Sequence, residues 1–268
     1  MKKLFSIDTW NLSECISSKW TFENGVNELS LENYEIIEKK IIDYINSSEA
    51  DAICFQEFPI MINNKTPLLD AITNRTQFEF HAEIDTSPSF LFTGGRIGVA
   101  IFSKKKIKSR KTFMFNNPNL SIRSQTGKVY HSFDKGIITI NIDESYSIIT
   151  CHGISFARFS KNPKHYPDTF RPLRDEIFRV LESNKEVIVI GDLNADDIVD
   201  IFPELSNYIE DKLLGSTTIP GYWGNKYYEE GRKMDCIYVS KKITVINIKK
   251  IKNFSDHYIC SCKCEINC

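Results

Sequence analysis

The run Val187-Ile188-Val189-Ile190 is four β-branched residues without a charge, and it ends at Gly191-Asp192-Leu193-Asn194. β-Branched side chains favour extended backbone, and an unbroken apolar run leaves no face for water. A chain with such a segment is committed to a sheet covered on both sides. The glycine stops the strand, and an acid and an amide follow two residues apart. Polar groups just past the carboxyl end of a buried strand are where open α/β sheets place their chemistry. The same octet also makes an ordinary Asx-rich turn, so the rest of the chain decides between the two.

The chain has 268 residues, 26% charged and 41% hydrophobic, a size that suits one large domain or two small ones. We take 1–268 as one domain. No stretch approaches the roughly 18 apolar residues of a membrane span. The apolar start ends at Asp8, too early for a signal-peptide core, so a cytoplasmic protein is expected. The formal net charge of −1 argues against a dedicated nucleic-acid clamp. It does not exclude an enzyme acting on phosphate, because a bound metal can carry the positive charge. The eight cysteines, without a secretory signal, read as free thiols. Cys260, Cys262 and Cys264 alternate with polar residues and read as one buried strand face rather than a zinc site.

Periodicity predicts helices at 33–47, from Thr66-Pro67 through Ile72, at 171–181 and briefly at 198–202. Strands are predicted at 3–10, 52–55, 78–82, 97–102, 128–133, 136–142, 145–151, 234–239, 243–248 and 258–266, with a hairpin turn at Asp134-Lys135-Gly136. Strands outnumber helices, and helices join only some of them. That pattern predicts mixed sheets with outer helices.

Polar residues recur at the tips of these strands: Trp10-Asn11, Gln56-Glu57, His152-Gly153, Asp192 with Asn194, Asp235, and Ser255-Asp256-His257. Each alone reads as a turn or a solvated end. Together they supply acids, histidines and amides, the groups that metal-assisted phosphoester hydrolysis requires. Their order, with Gly98-Val99-Ala100-Ile101 between, resembles the endonuclease/exonuclease/phosphatase superfamily over nearly the whole chain.

The resemblance implies an α/β fold, a four-layer α/β sandwich of two packed mixed β-sheets flanked by helices, with a divalent metal in a cleft at one edge. It implies that Glu57, helped by Asn11, ligates the metal, and that Asp256 completes the metal environment. Asp192 would orient or deprotonate the attacking water, and Asn194 would hold the phosphate. His257, oriented by Asp235, would stabilise the pentavalent phosphorus centre, and His152 would contact the phosphate or leaving oxygen from the other side. Magnesium suits carboxylates plus waters, with manganese as the alternative. A tyrosine usually stands at His152 in the abasic-site endonucleases, and an acid at Ser13. His152 instead resembles the branch of pancreatic-type deoxyribonucleases, sphingomyelinases and deadenylases, where Glu83 would match a glutamate that supports this histidine in the deoxyribonucleases. Lys233-Met234-Asp235-Cys236 does not match the Trp-Cys-Asp-Arg motif of the inositol polyphosphate 5-phosphatases.

Arg96 precedes a motif strand and is expected to contact phosphate. Trp223, with Tyr222, Tyr227 and Tyr228, either stacks bases or packs over the sheet edge. The basic run at Lys104-Lys105-Lys106, with Lys108, Arg110 and Lys111, reads as a solvated edge ahead of a backbone contact. The expected function is a nuclease, with nucleic acid as substrate and no obligate protein partner. The alternatives are a phosphatase or phosphodiesterase for a lipid head group or small nucleotide, and a non-catalytic binding member of the fold.

Overall fold

The structure is a computed structural model describing residues 2–15, 31–89, 91–92, 94–123, 127–195, 197–222 and 229–267, with the side chains of 31 and 32 excepted. One sheet contains β1 (Lys2–Asn11), β2 (Ala52–Met61), β3 (Phe80–Pro88), β4 (Arg96–Ser103), β13 (Thr244–Ile251) and β14 (Ile259–Asn267), in the order β13-β14-β1-β2-β4-β3. The other contains β5 (Ser109–Met114), β8 (Gly136–Asn141), β9 (Tyr146–His152), β10 (Glu186–Asp192), β11 (Ile209–Asp211) and β12 (Asp235–Ser240), in the order β11-β12-β10-β9-β8-β5. A separate ribbon pairs β6 (Ser121–Arg123) with β7 (Val129–His131). Among the described residues the α-helices are α1 (Leu31–Ser47), α2 (Pro67–Arg75) and α3 (Pro167–Glu182).

Each sheet has one parallel pair at its centre, β1 with β2 and β9 with β10. Parallel neighbours need a crossover, and α1 and α3 lie in those two crossovers. The uncharged run at 187–190 shows how the layers form. Ile188 and Ile190 enter the core between the sheets, while Val187 and Val189 enter the core beneath α3. Ile53 and Phe55 of β2 likewise meet Ile37, Ile41 and Ile45 of α1. The result is a four-layer α/β sandwich. Cys260, Cys262 and Cys264 are buried in the inter-sheet core, and the seven described cysteines are free thiols.

Helix α3 begins at Pro167, four residues before its predicted start, and contains Pro172. A proline at that position leaves the carbonyl of Asp168 without its helical donor. The Asn116 side chain fills the gap, its Nδ2 donating to that oxygen at 2.7 Å. Among the described residues, no helix is long and apolar enough to cross a membrane.

Several expected elements differ. The segment 128–133 does not form a hairpin with 136–142, because β7 pairs with β6 while β8 pairs with β5 and β9. The predicted helix at 198–202 is a turn, and a 3₁₀ helix follows it at Pro203–Asn207. Thr66 precedes Pro67, yet its hydroxyl donates to Asp70 Oδ2 at 3.1 Å rather than capping the helix. The basic run from 108 to 111 enters the edge strand β5, whose Arg110 and Lys111 face solvent. Charged residues on an edge discourage further strand pairing.

Candidate active site

Topology brings the strand tips together before any side chain is considered. Strands β1, β9 and β10 end at one edge of the sandwich, with His152 opposite Asp192, and β2 passes that edge at its middle, with Gln56 opposite Asn11. Strand β12 runs antiparallel to β10, so its first residue, Asp235, sits opposite Asp192. Strand β14 runs antiparallel to β1 and begins just after His257. Five strand tips and the middle of β2, distant in sequence, therefore meet at one edge.

Glu57 reaches the site through a β-bulge. Gln56 pairs with Val99 and Phe58 with Gly98, leaving Glu57 as an extra residue with φ 48°. An extra residue re-aims the side chains around it. The inserted residue lets Phe58 stay in the helix-side core with Phe55, while Glu57 leaves the alternation. Gln56 faces the second sheet, accepting from Thr9 Oγ1 at 3.1 Å and donating to Thr150 Oγ1 at 3.3 Å.

Asp192 is the hub. Its Oδ2 accepts from Asn11 Nδ2 at 2.8 Å, and its Oδ1 accepts from the backbone N–H of Asn194 at 2.8 Å. His257 Nε2 lies 3.8 Å from Asp192, and His257 Nδ1 lies 2.8 Å from Asp235 Oδ2. His152 Nε2 lies 3.8 Å from both Asp192 and Glu57. The close approach of β10 to β9 needs Gly191, where φ is +150° and a Cβ would stand 2.3 Å from the Cys151 carbonyl oxygen. Asn194, at φ 52°, donates from Nδ2 to Gly153 O at 3.1 Å.

Burial sets the proton affinities. It pushes Glu57 up to about 7, Lys135 partly opposes the shift, and Glu14, Asp256 and Asp192 add to it. Burial also pushes Asp192 up to about 6, against the His257 charge and the two hydrogen bonds it accepts. Burial opposes the His257 imidazolium, but Asp235, Asp256 and Asp192 outweigh it and hold the proton well above the ordinary histidine range. His152 moves the other way, held well below that range by burial and by the charges of Lys135 and His257.

The structure places Asn11, Glu57, His152, Asp192, Asn194, Asp235, Asp256 and His257 at this edge. Asn11 Nδ2 holds Asp192, while its Oδ1 accepts from the Ser13 N–H at 2.9 Å. Asp256 accepts from the hydroxyls of Ser13 and Ser255. Arg96 is engaged elsewhere, its Nε donating to both oxygens of Asp85 at 3.0 and 2.9 Å. Glu83 does not support His152. It faces His81, 3.5 Å away on the same strand. Trp223, Tyr227 and Tyr228 lie outside the described residues, whereas the Tyr222 hydroxyl donates to Phe254 O at 2.6 Å. Lys104 follows Ser103, which pairs with Ala52 at the start of β2, so that basic run lies at the opposite end of the sheet.

Two site residues escaped the sequence reading. Lys135, expected in a hairpin turn, is buried with Nζ 3.2 and 3.3 Å from the two ring nitrogens of His152. Glu14 sits in a left-handed turn with Ser13 and Cys15, at φ 47°, 53° and 66°, and accepts from Ser89 Oγ at 2.5 Å. Three successive non-glycine residues in that region have no signature in composition or periodicity.

The donor set fits a hard divalent cation. Glu57, Asp256 and Glu14 offer carboxylate oxygens, the ligand type that magnesium and manganese prefer. Their mutual repulsion appears in the raised Glu57 proton affinity, which a cation would relieve. Asp192, Asp235 and His257 are the compact group of potential ligands among the described residues, with ligand atoms within 4.8 Å of one another, and among those residues the buried Asp235 Oδ1 has no hydrogen-bond partner.

Known proteins fit this arrangement. Residues 9–257 match the model of the Endonuclease/Exonuclease/phosphatase family. A structure of that description from Bacteroides vulgatus is 15% identical with a TM-score of 0.63, covering 99% of this chain and 100% of its own. A family protein from Leptotrichia buccalis C-1013-b is 20% identical with a TM-score of 0.59, covering 97% and 99%. TDP2 from D. rerio, in complex with a single-strand DNA product, is 16% identical with a TM-score of 0.55, covering 98% and 99%. No curated protein matches the chain by sequence.

Proposed function

The chain belongs to the endonuclease/exonuclease/phosphatase family, whose members hydrolyse phosphoester bonds with a divalent metal, and from that footing we propose that it is a nuclease. The observation that carries this reading is one polar chain. It runs from Asn11 through Asp192 and His257 to Asp235, with Glu57 and His152 against its flank.

Magnesium, with manganese as the alternative, would be held by Glu57 and Asp256 and would supply Lewis acidity to a phosphoryl oxygen. Asp192 takes the proton of the attacking water, with Asn11 and the Asn194 N–H fixing the carboxylate. A base that titrates near 6 is ionised at neutral pH and still basic enough for the task. His257, charged and anchored on Asp235, presents Nε2 to the oxygens that gain charge as the phosphorus centre crowds. Asn194 and neutral His152 bind further oxygens of the group. In-line displacement by water needs no covalent nucleophile, and the described thiols are buried.

A cavity of about 620 Å³ favours a polynucleotide over a small ester. It starts at Ala195, next to Asn194, and its walls carry Lys161, Lys164 and Arg232 beside Asp197, with Lys164 paired to Asp200 at 2.9 Å. The sequence between Glu144 and Asp168 contains no acid, so the loop leaving His152 is uniformly basic. Cations beside a phosphoester site suit the flanking phosphates of a strand. TDP2, a fold neighbour, was solved with a single-strand DNA product. A non-catalytic role is opposed by the complete set of catalytic side chains. The test is Mg²⁺- and Mn²⁺-dependent cleavage of single- and double-stranded DNA and RNA, run beside p-nitrophenyl phosphate. Cleavage of oligonucleotides is expected. Turnover of the monoester alone would assign the protein to the phosphatases instead.

A further inference from the structure

Lys135 is a buried cation that the mechanism above leaves without a task. It is 9% exposed, and it directly precedes β8. Strand β8 is antiparallel to β9, with Ile137 opposite Cys151, so its start lies beside His152 at the catalytic edge. The backbone is pinned there by the Phe115 N–H, which donates to Lys135 O at 2.9 Å. Gly136 lets the first strand of β8 pass under the other sheet, since a Cβ would meet Ile84 Cγ2 at 2.7 Å.

An ammonium carries three donors. Among the described residues its one hydrogen-bond partner is His152. A histidine ring nitrogen accepts one of those protons, which leaves two N–H bonds of the ammonium for another acceptor. Burying a charge is costly unless charges or hydrogen bonds answer it. Burial lowers the Lys135 proton affinity, and the fields of Glu57, Asp192 and Glu14 oppose that loss. Those acids are the groups a divalent ion would neutralise, and a lysine placed only to neutralise them would compete with that ion. Nζ lies instead against the ring of His152, whose Nε2 is 3.8 Å from both Glu57 and Asp192.

We propose that Lys135 binds the substrate's phosphoryl group, with Nζ donating to a non-bridging oxygen beside His152. The phosphoryl group then meets a fixed ammonium from the β8 side, in addition to any metal that Glu57 would hold. This inference rests on the phosphoesterase reading of the site and adds a direct substrate contact to it.

The test compares Lys135→Met and Lys135→Arg with the wild-type chain. Hydrolysis of bis-p-nitrophenyl phosphate should fall about a hundredfold in Lys135→Met, the scale of losing one donor to a transition-state oxygen. Inhibition by inorganic phosphate should weaken about tenfold or more, in keeping with one charge-assisted contact. Lys135→Arg should restore part of both. The apparent Mn²⁺ affinity should tighten in Lys135→Met, because a like charge is gone, and thermal stability should hold or rise. If Lys135 only balances the acids, Mn²⁺ binds more tightly while phosphate inhibition is unchanged, and the inference fails. If it only supports the fold, activity and melting temperature drop together, and the inference fails again. Phosphate-induced thermal stabilisation gives an arm independent of turnover. Should the wild-type chain hydrolyse no ester while phosphate stabilises it only when Lys135 is present, the enzymatic reading is lost and the Lys135 contact stands.

Discussion

Glu57 stands where an alternating strand would put an apolar side chain, and a one-residue bulge is what frees it. Its carboxylate prefers its proton up to about pH 7, chiefly because of burial. Such a group holds a proton in the folded chain after the unfolded chain has released it, so it costs stability as pH rises through that interval. In EDTA, Glu57→Gln should match the wild-type melting temperature near pH 5 and exceed it near pH 8. A constant difference across that range contradicts the assignment. Asp192→Ala and His257→Ala should each lower kcat by at least about a thousandfold with the fold intact. Asp235→Asn should cost about ten- to a hundredfold, as loss of an orienting partner does. Steady-state rates beside circular dichroism check all three. Asp192, His257 and Glu57 were legible in sequence because each adjoins a hydrophobic run within a recurring order, although β2 continues past Glu57 to Met61. Lys135 and Glu14 were not, since a lysine before a glycine reads as a turn and a left-handed turn of non-glycine residues leaves no pattern.

At the scale of elements, β9 and β10 carry the site because their backbones approach closely at Gly191. Gly191→Ala would push a methyl group into the Cys151 carbonyl. The loss should be about 2–3 kcal/mol, read as a lower midpoint in urea, with catalysis impaired beyond what the unfolded fraction explains. The loop after β9 bears Lys161 and Lys164, both exposed and outside the catalytic group. The double variant Lys161→Glu, Lys164→Glu should raise KM for a single-stranded oligonucleotide and flatten its salt dependence, while hydrolysis of a small diester is unchanged. Equal loss on both substrates would deny the groove its role. Strand β10, with its continuous apolar run, was plain from the sequence, as was β9, which is rich in β-branched residues. Strand β5 was not, because an edge strand facing water needs no apolar alternation and its basic side chains look like a loop. The turn read at Asp134-Lys135-Gly136 failed for a related reason: local turn chemistry says nothing of which strand will pair, and β8 found β5 and β9 instead.

For the whole molecule, the two sheets repeat one plan. Each has a parallel central pair with a helix in its crossover, and each ends that pair at the same edge. Neither sheet is sufficient: Asn11 and Glu57 come from one, His152, Asp192 and Asp235 from the other. The inter-sheet core therefore sets catalytic geometry as well as stability. The central claim is that these tips hold one divalent ion beside one phosphorus atom. The most direct measurement is hydrolysis of bis-p-nitrophenyl phosphate by EDTA-stripped protein, before and after Mn²⁺ is added, for the wild-type chain and Glu57→Gln. The account predicts no turnover without metal, recovery in the wild type, and at least about a thousandfold less in a folded Glu57→Gln. Turnover that survives stripping, or a variant that responds to Mn²⁺ as the wild type does, would contradict it.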